Sequence, residues 1–247
     1  MGALVERHGV CALVVLDWPD TRNALGPDES TELTAAIRSV VTDDVCGLVL
    51  TGNGAFCAGG NLRGAVGRSD LDPDERRQVV YAAYQGVVRA LVECPVPTVA
   101  AIDGPAVGMG FDLALACDSR FVGPEGWCQQ GWGRVGLVPG TGGELLLRRR
   151  APNVLWSLLE SQPRLDGEAL GGLTLAEPVW EGTARDRAIE RVERLSVMSR
   201  QALESYVLLH RAELRRDLDA HLGLAVERQI ALLGSPDFAA RVKKILG

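Results

Sequence analysis

The 247-residue chain contains no Cys-x-x-Cys pair, and its six cysteines stand singly at Cys11, Cys46, Cys57, Cys94, Cys117 and Cys128. A disulfide framework or a cysteine zinc site is therefore not expected. Set among apolar neighbours, these residues read as reduced, buried thiols of a cytoplasmic protein. No window reaches the ~20 uninterrupted apolar residues of a membrane span. The opening decapeptide is broken by Glu6 and Arg7 and has no Ser or Thr at position six, so neither a leader nor N-myristoylation is expected. Lys and Arg number 26 against 32 Asp and Glu, and no stretch concentrates enough base to follow a phosphate backbone. Nucleic acid and membrane are both poor partners.

Histidine is also scarce: His8, His210 and His221 are the whole supply, the last two on a polar helical tail. With no Gly-x-Ser-x-Gly elbow either, a Ser/His/Asp hydrolase is hard to assemble. Metal patterns of the His-Glu-x-x-His or Cys/His kind are missing, and no metal is expected. The Gly-x4-Gly-Lys-Ser/Thr phosphate loop is absent, and Gly52-Asn53-Gly54 lacks the third glycine of a dinucleotide fingerprint. Cys128 has no histidine near it in sequence, so nothing marks it as a nucleophile.

What is present is an ordinary globular composition, 47% hydrophobic and 23% charged. A chain of this length removes roughly 70–75% of its unfolded surface from water, enough for a core without staples. Apolar runs predict strands over residues 10–16, 46–50, 98–102 and 119–122, each with glycine close behind. Pro27-Asp28-Glu29 and Pro73-Asp74-Glu75 open helical stretches running to about residue 41 and to just before Pro95. Strands this apolar are buried on both faces, which favours parallel β/α layering. From Leu145 helical signals dominate, with helices expected over 185–198, 200–216 and 218–233. No low-complexity linker intervenes. The expected organisation is a core over 1–184 and a C-terminal helical region over 185–247.

Three glycine-rich segments follow strands: residues 51–62, 103–112 and 135–143. Glycine at a strand end lets backbone amides approach a ligand without Cβ hindrance. Two such loops feeding helix starts can aim two N–H groups at one oxygen, the geometry of an oxyanion hole. Any one of the loops equally suits a tight turn or close helix packing.

Four linked segments, in order, resemble the crotonase superfamily, the enoyl-CoA hydratase/isomerase family. They are Asn23-Ala24-Leu25; Phe56-Cys57-Ala58-Gly59-Gly60-Asn61-Leu62; Gly104 to Gly110 running into Ala116-Cys117-Asp118; and Gly136-Leu137-Val138-Pro139-Gly140-Thr141-Gly142-Gly143. The resemblance implies an α/β fold, a crotonase-like β/α spiral core with a C-terminal helical region that trimerises and helps close the pocket. It also implies an acyl-CoA thioester substrate, with coenzyme A as part of the substrate rather than a separate cofactor. Position by position, it makes the amides of Gly60 and Met109 the oxyanion hole and places Asn23, Ala24, Leu25 and Ala58 along the coenzyme A arm. Asn61, where the family often has Asp, reads as a cap.

The departures bear on the reaction. Of the two glutamates that a hydratase of this family uses, the first position here is Asp112, shorter by one methylene, and the second is Trp132, which cannot exchange a proton at neutral pH. Asp112 is the best acid/base candidate, although Asp in a first helical turn also caps it. Glu144 is the nearest other acid and reads more readily as a dipole complement. Trp127, Gln129, Gln130 and Trp132, with Gly140, are expected along the acyl pocket, suited to an aromatic or polar acyl group. The expected activity is that of an enzyme working through a thioester enolate and not a standard two-glutamate hydratase. The alternative is a catalytically silent acyl-CoA-binding subunit. A homotrimer or dimer of trimers is expected.

Overall fold

The computed structural model describes residues 1–40, 42–67 and 71–246. Strands β1 (Gly2–His8) and β2 (Cys11–Asp17) form an antiparallel hairpin, and α1 (Pro27–Ser39) leads to β3 (Gly47–Gly52). After α2 (Leu62–Gly67), α3 (Pro73–Glu75) continues through a π-helical segment, Arg76–Tyr81, into α4 (Ala82–Glu93). There follow β4 (Thr98–Ile102), β5 (Pro105–Val107), α5 (Met109–Ala116), β6 (Ser119–Val122) and β7 (Trp127–Gln129). The rest is mainly helical: α6 (Gly143–Arg150), α7 (Leu155–Ser161), α8 (Gly167–Gly172), the short β8 (Glu177–Pro178), α9 (Ala184–Leu195), α10 (Arg200–Leu233) and α11 (Pro236–Leu246).

The main sheet runs β1-β2-β3-β4-β6-β8, parallel throughout except for β1 against β2. Alternation along β2 explains why its sequence is wholly apolar: Ala12, Val14 and Leu16 enter the core under α1, α4 and α5, while Cys11, Leu13 and Val15 pack on the other face against Ala184, Ala188 and Val192 of α9. The helix that opens the C-terminal region thus completes the two-sided burial of the sheet. A second ladder pairs β5 with β7 and extends through bridges Leu25↔Gly60, Cys57↔Ala106 and Cys128↔Leu165. The glycine loops of residues 51–62 and 103–112 both take part in this ladder.

Two local differences from the sequence reading have clear causes. β1 lies at the sheet edge with only one core-facing side, so its mixed pattern carries no continuous apolar run. The two helices expected over 200–216 and 218–233 are one 34-residue helix, α10. Neither glycine nor proline separates them, and Leu214, Leu218, Leu222 and Val226 form one buried stripe across the junction. No helix among the described residues is long and apolar enough to cross a membrane.

Candidate active site

Gly60 sits between two hydrogen bonds of its bridge: Leu25 N donates to Gly59 O and Asn61 N donates to Leu25 O, both at 2.8 Å. Its own amide is left facing the other way. Met109 is the first residue of α5, and the leading amides of a helix have no partner within it. Among the described residues neither amide donates to a protein acceptor. The loops approach closely because Gly59 has φ +104°, a region side chains rarely adopt; a methyl there would lie 2.8 Å from Val107 O and 3.9 Å from Met109 N.

Gly60 and Met109 stand at the junction of two cavities. One, about 60 Å³, is narrow and mainly apolar, bordered by Tyr81, Tyr84, Trp132, Leu137, Leu233 and Phe238, with Asn61, Arg76, Thr141 and Gln229 as polar lining. The other, about 250 Å³, is more open and runs past Ala58, Gly108, Gln129, Gly131, Arg134 and Val135 to Ile245. Gly60, Leu62, Met109 and Trp132 border both. Two unsatisfied amides, one at the positive end of a helix, thus meet between a narrow, mainly apolar space and a wider channel. Such a pair stabilises an oxygen that gains negative charge.

Asp112, in the first turn of α5, is 3% exposed and lines neither cavity. Its Oδ2 accepts from Trp132 Nε1 at 2.9 Å and from Thr141 Oγ1 at 2.5 Å. The two positions at which the resemblance puts a hydratase's glutamates therefore contact each other, the indole hydrogen-bonded to the acid. Burial pushes Asp112 up to about 7, against the lowering effect of the Thr141 and Trp132 hydrogen bonds. Gly143 is obligatory beside it, since a methyl there would lie 1.9 Å from Asp112 Oδ1.

The remaining sequence candidates are distributed around this centre. Asn23 is fully buried: its Oδ1 accepts from Trp18 N at 2.7 Å and its Nδ2 donates to Ala55 O at 2.6 Å, so its side chain ties the loops after β2 and β3 together. Ala24 lies in the same turn, its amide donating to Thr21 O. Leu25 is in the core, and Ala58 borders the wider cavity. Asn61 Oδ1 accepts from Gly64 N at 3.0 Å, a cap on α2. Gln130 lies outside both walls, its Oε1 accepting from Gly133 N. Gly140 lies behind the wall, against the side chains of Gln229 and Tyr81. Trp127 stacks under Arg164, 4.4 Å from the ring centroid. Glu144 pairs with Arg148 at 2.9 Å and faces His221. The Cys128 thiol is pushed up to about 12 by burial, which leaves it inert at neutral pH. Among the described residues no group of acids, histidines and cysteines is placed to hold a metal.

Sequence reasoning assigned no role to Thr141, Gln229, Tyr81, Tyr84 or Phe238. Thr141 had one signal, a hydroxyl inside a glycine-rich loop. Gln229 had another: it is a polar residue beside the buried stripe of α10, and its Oε1 is sealed from solvent without a hydrogen-bond donor.

Comparison with known proteins agrees with this architecture. The enoyl-CoA hydratase/isomerase family model matches residues 6–156. "Probable enoyl-CoA hydratase EchA14" of Mycobacterium tuberculosis is 35% identical over 251 residues, covering 96% of this chain and 94% of the relative. The crystal structure of an enoyl-CoA hydratase/isomerase from Mycobacterium paratuberculosis superposes with a TM-score of 0.87 at 25% identity, covering 97% of this chain and 96% of that one. An enoyl-CoA hydratase structure from Bacillus halodurans, at 22% identity, shares the fold with a TM-score of 0.90 over 98% of each chain. With a family match over more than half its length and a relative aligned almost end to end, the chain belongs to the enoyl-CoA hydratase/isomerase family of the crotonase superfamily.

Proposed function

We propose that the protein binds an acyl-CoA thioester and stabilises its enolate. The thioester oxygen is received by the amides of Gly60 and Met109, the acyl group enters the 60 Å³ apolar cavity, and the pantetheine arm leaves through the 250 Å³ channel past Ala58. The observation that carries this reading is the pair of unpartnered amides at the junction of the two cavities. Coenzyme A enters as part of the substrate. Asp112 serves as acid and base, and Thr141 is its connection to the substrate. Thr141 lines the smaller cavity and its hydroxyl donates to Asp112, so in this reading a proton taken from the α carbon passes to that oxygen as the hydroxyl proton passes to the carboxylate. With an indole at the second carboxylate position, no acid among the described residues lines either cavity to hold a water over the β carbon. The reading therefore favours a reaction that follows the enolate, such as isomerisation, decarboxylation, thioester hydrolysis or carbon–carbon cleavage, over simple hydration.

The test separates backbone from side-chain chemistry. Gly60→Pro deletes one donor and should lower turnover by about 10²- to 10³-fold, whereas Met109→Leu keeps its amide and should change it little. Circular dichroism checks that the proline variant is folded. A folded, fully active Gly60→Pro protein would overturn the assignment.

A second reading, a silent acyl-CoA-binding subunit that supports a partner enzyme, is favoured by one observation: Asp112 is sealed behind Trp132 and Thr141. Incubation with enoyl-, malonyl-type and aryl acyl-CoA thioesters, followed by mass spectrometry, discriminates the two. Binding with no turnover across the panel selects the silent subunit. For the thioester that turns over, Asp112→Asn should lower the rate by about 10²- to 10⁴-fold while binding persists.

The proposed assembly is a homotrimer or dimer of trimers. It is supported by Tyr206, Leu208 and Leu209, which leave apolar surface exposed on α10. The unpaired cysteines suit a cytoplasmic setting.

A further inference from the structure

The catalytic groups sit at the N-terminal end of α5; a second concentration of charge sits beyond its C-terminal end. A recess of about 240 Å³ there has Asp118, Arg120, Arg149, Arg150, His210 and Arg211 as its polar lining. Most of these charges already have partners. Asp118 receives Arg211 on both carboxylate oxygens and Thr98 N and Oγ1 on one of them. Arg149 is divided between Glu213 at 3.1 Å and Asp217 at 2.7 Å.

Arg120 and Arg150 are different. Neither has a carboxylate partner among the described residues, and the Cys117 carbonyl accepts from both, at 2.7 and 2.8 Å, which holds the two guanidinium groups side by side. Arg120 is only 8% exposed. A purely structural role, cations closing carbonyls at the C-terminal end of α5 and just beyond α8, accounts for part of this. It explains Arg120 Nε on Leu175 O, Arg120 Nη1 on Ala114 O and Cys117 O, and Arg150 Nη2 on Cys117 O. It leaves Arg120 Nη2 and Arg150 Nε and Nη1 with no protein acceptor. None of the three is among the sealed, unpartnered nitrogens, and both side chains line the recess. Burial first, and the nearby Arg150 charge second, push Arg120 down to about 10 against the opposing influence of Cys117, Cys128 and Asp118.

We infer that this recess is an oxyanion-binding site, in which Arg120 and Arg150 together take a tetrahedral dianion of the phosphate class. Neither guanidinium has a carboxylate hydrogen-bonded to it, and Asp118, the one acid in the lining, is already engaged by Arg211 and Thr98, so positive charge is in excess there; the forked N–H groups match an oxyanion's several acceptors, which a spherical halide does not. The site is separate from the thioester pocket, since Arg120 and Arg150 border neither of its cavities.

The test uses the full chain and inorganic phosphate, titrated by calorimetry and by thermal unfolding at constant ionic strength, with chloride as the control. Saturable phosphate binding that raises Tm, without a matching chloride effect, is expected. Arg150→Gln should weaken the apparent affinity about tenfold or more while thioester turnover stays at the parent level; Arg150→Lys, which keeps charge but loses the fork, should fall between. No saturable binding, equal effects of phosphate and chloride, or Arg150 variants that respond like the parent would overturn the site. So would light scattering in which Arg150→Gln dissociates the assembly while phosphate has no effect, because a carboxylate of a second copy would then fill the recess. If Arg150→Gln fails to fold, Arg150→Lys and the parent titration still decide the outcome.

Discussion

Asp112 lies in the first turn of α5 and Asp118 two residues beyond its end, and both are largely shielded from solvent, yet their surroundings drive them in opposite directions. At Asp118 burial raises the pKa, but the hydrogen bonds and charge of Arg211, with Thr98, outweigh it and hold the carboxyl below its ordinary value. At Asp112 no cation is supplied; two neutral donors, Trp132 and Thr141, offset only part of the desolvation, and the acid is pushed up to about 7. The first arrangement locks structure: Arg211, 2% exposed, also donates to the carbonyls of Leu91, Val92, Cys94 and Val96, pinning α10 to the end of α4. The second leaves a carboxyl able to gain and lose a proton near neutrality. A buried acid is left to titrate near neutrality or is held ionised according to whether a guanidinium is placed beside it.

The largest stability effect should come from breaking the scaffold end. Arg211→Met strands Asp118 in the interior and should cost about 3–5 kcal/mol by urea unfolding at pH 7. The loss should shrink toward pH 4, where the stranded acid takes up a proton. An equal loss at both pH values would show that Asp118 is not the source.

The reactive end should give the opposite pH response. Because the folded pKa of Asp112 lies near 7 and the ordinary value is 3.8, the folded state binds the extra proton between them. Its contribution to stability is therefore greatest at low pH and falls as pH rises toward 7, by up to roughly 4 kcal/mol. Asp112→Asn should remove that slope, so the variant gains on the parent from pH 4 to pH 8. Parallel pH profiles for the two proteins would break the comparison.

A smaller effect sharpens it. Trp132→Phe removes one of the two donors to Asp112, which should raise its pKa further and cost roughly 1.5–3 kcal/mol at pH 8, less at pH 5. The carboxyl C=O stretch followed by infrared titration reads the shift directly. An unmoved titration would mean that the indole contributes shape alone.

Much of this was legible along the chain. The wholly apolar strands announced a sheet buried on both faces, and glycine clusters behind them marked where amides would be free. The roles proposed for Gly60 and Met109 need only backbone, and backbone freedom is written locally in loop position and helix start. Asn61 as a cap was readable for the same reason. By contrast, Gln130 was expected along the pocket from its place beside Trp132, and its amide instead closes a local turn at Gly133. Asn23 was expected beside the coenzyme A arm, and its carboxamide is consumed in tying two loops together.

What the sequence by itself determined was the order of β/α turns, the glycine loops at the strand ends and the loss of the second carboxylate, since each is a property of consecutive residues. Only the tertiary structure decided what became of that loss. The indole of Trp132 reaches Asp112 across 20 positions and Thr141 reaches it across 29, while Gln229 arrives at the pocket from α10. Arg211 meets Asp118 across 93 positions, and Arg150 comes beside Arg120 from the end of α6. Such pairings have no local signature. They follow from how helices pack on the sheet, and in a low-dielectric interior that packing sets which buried charges are matched and which are left able to react.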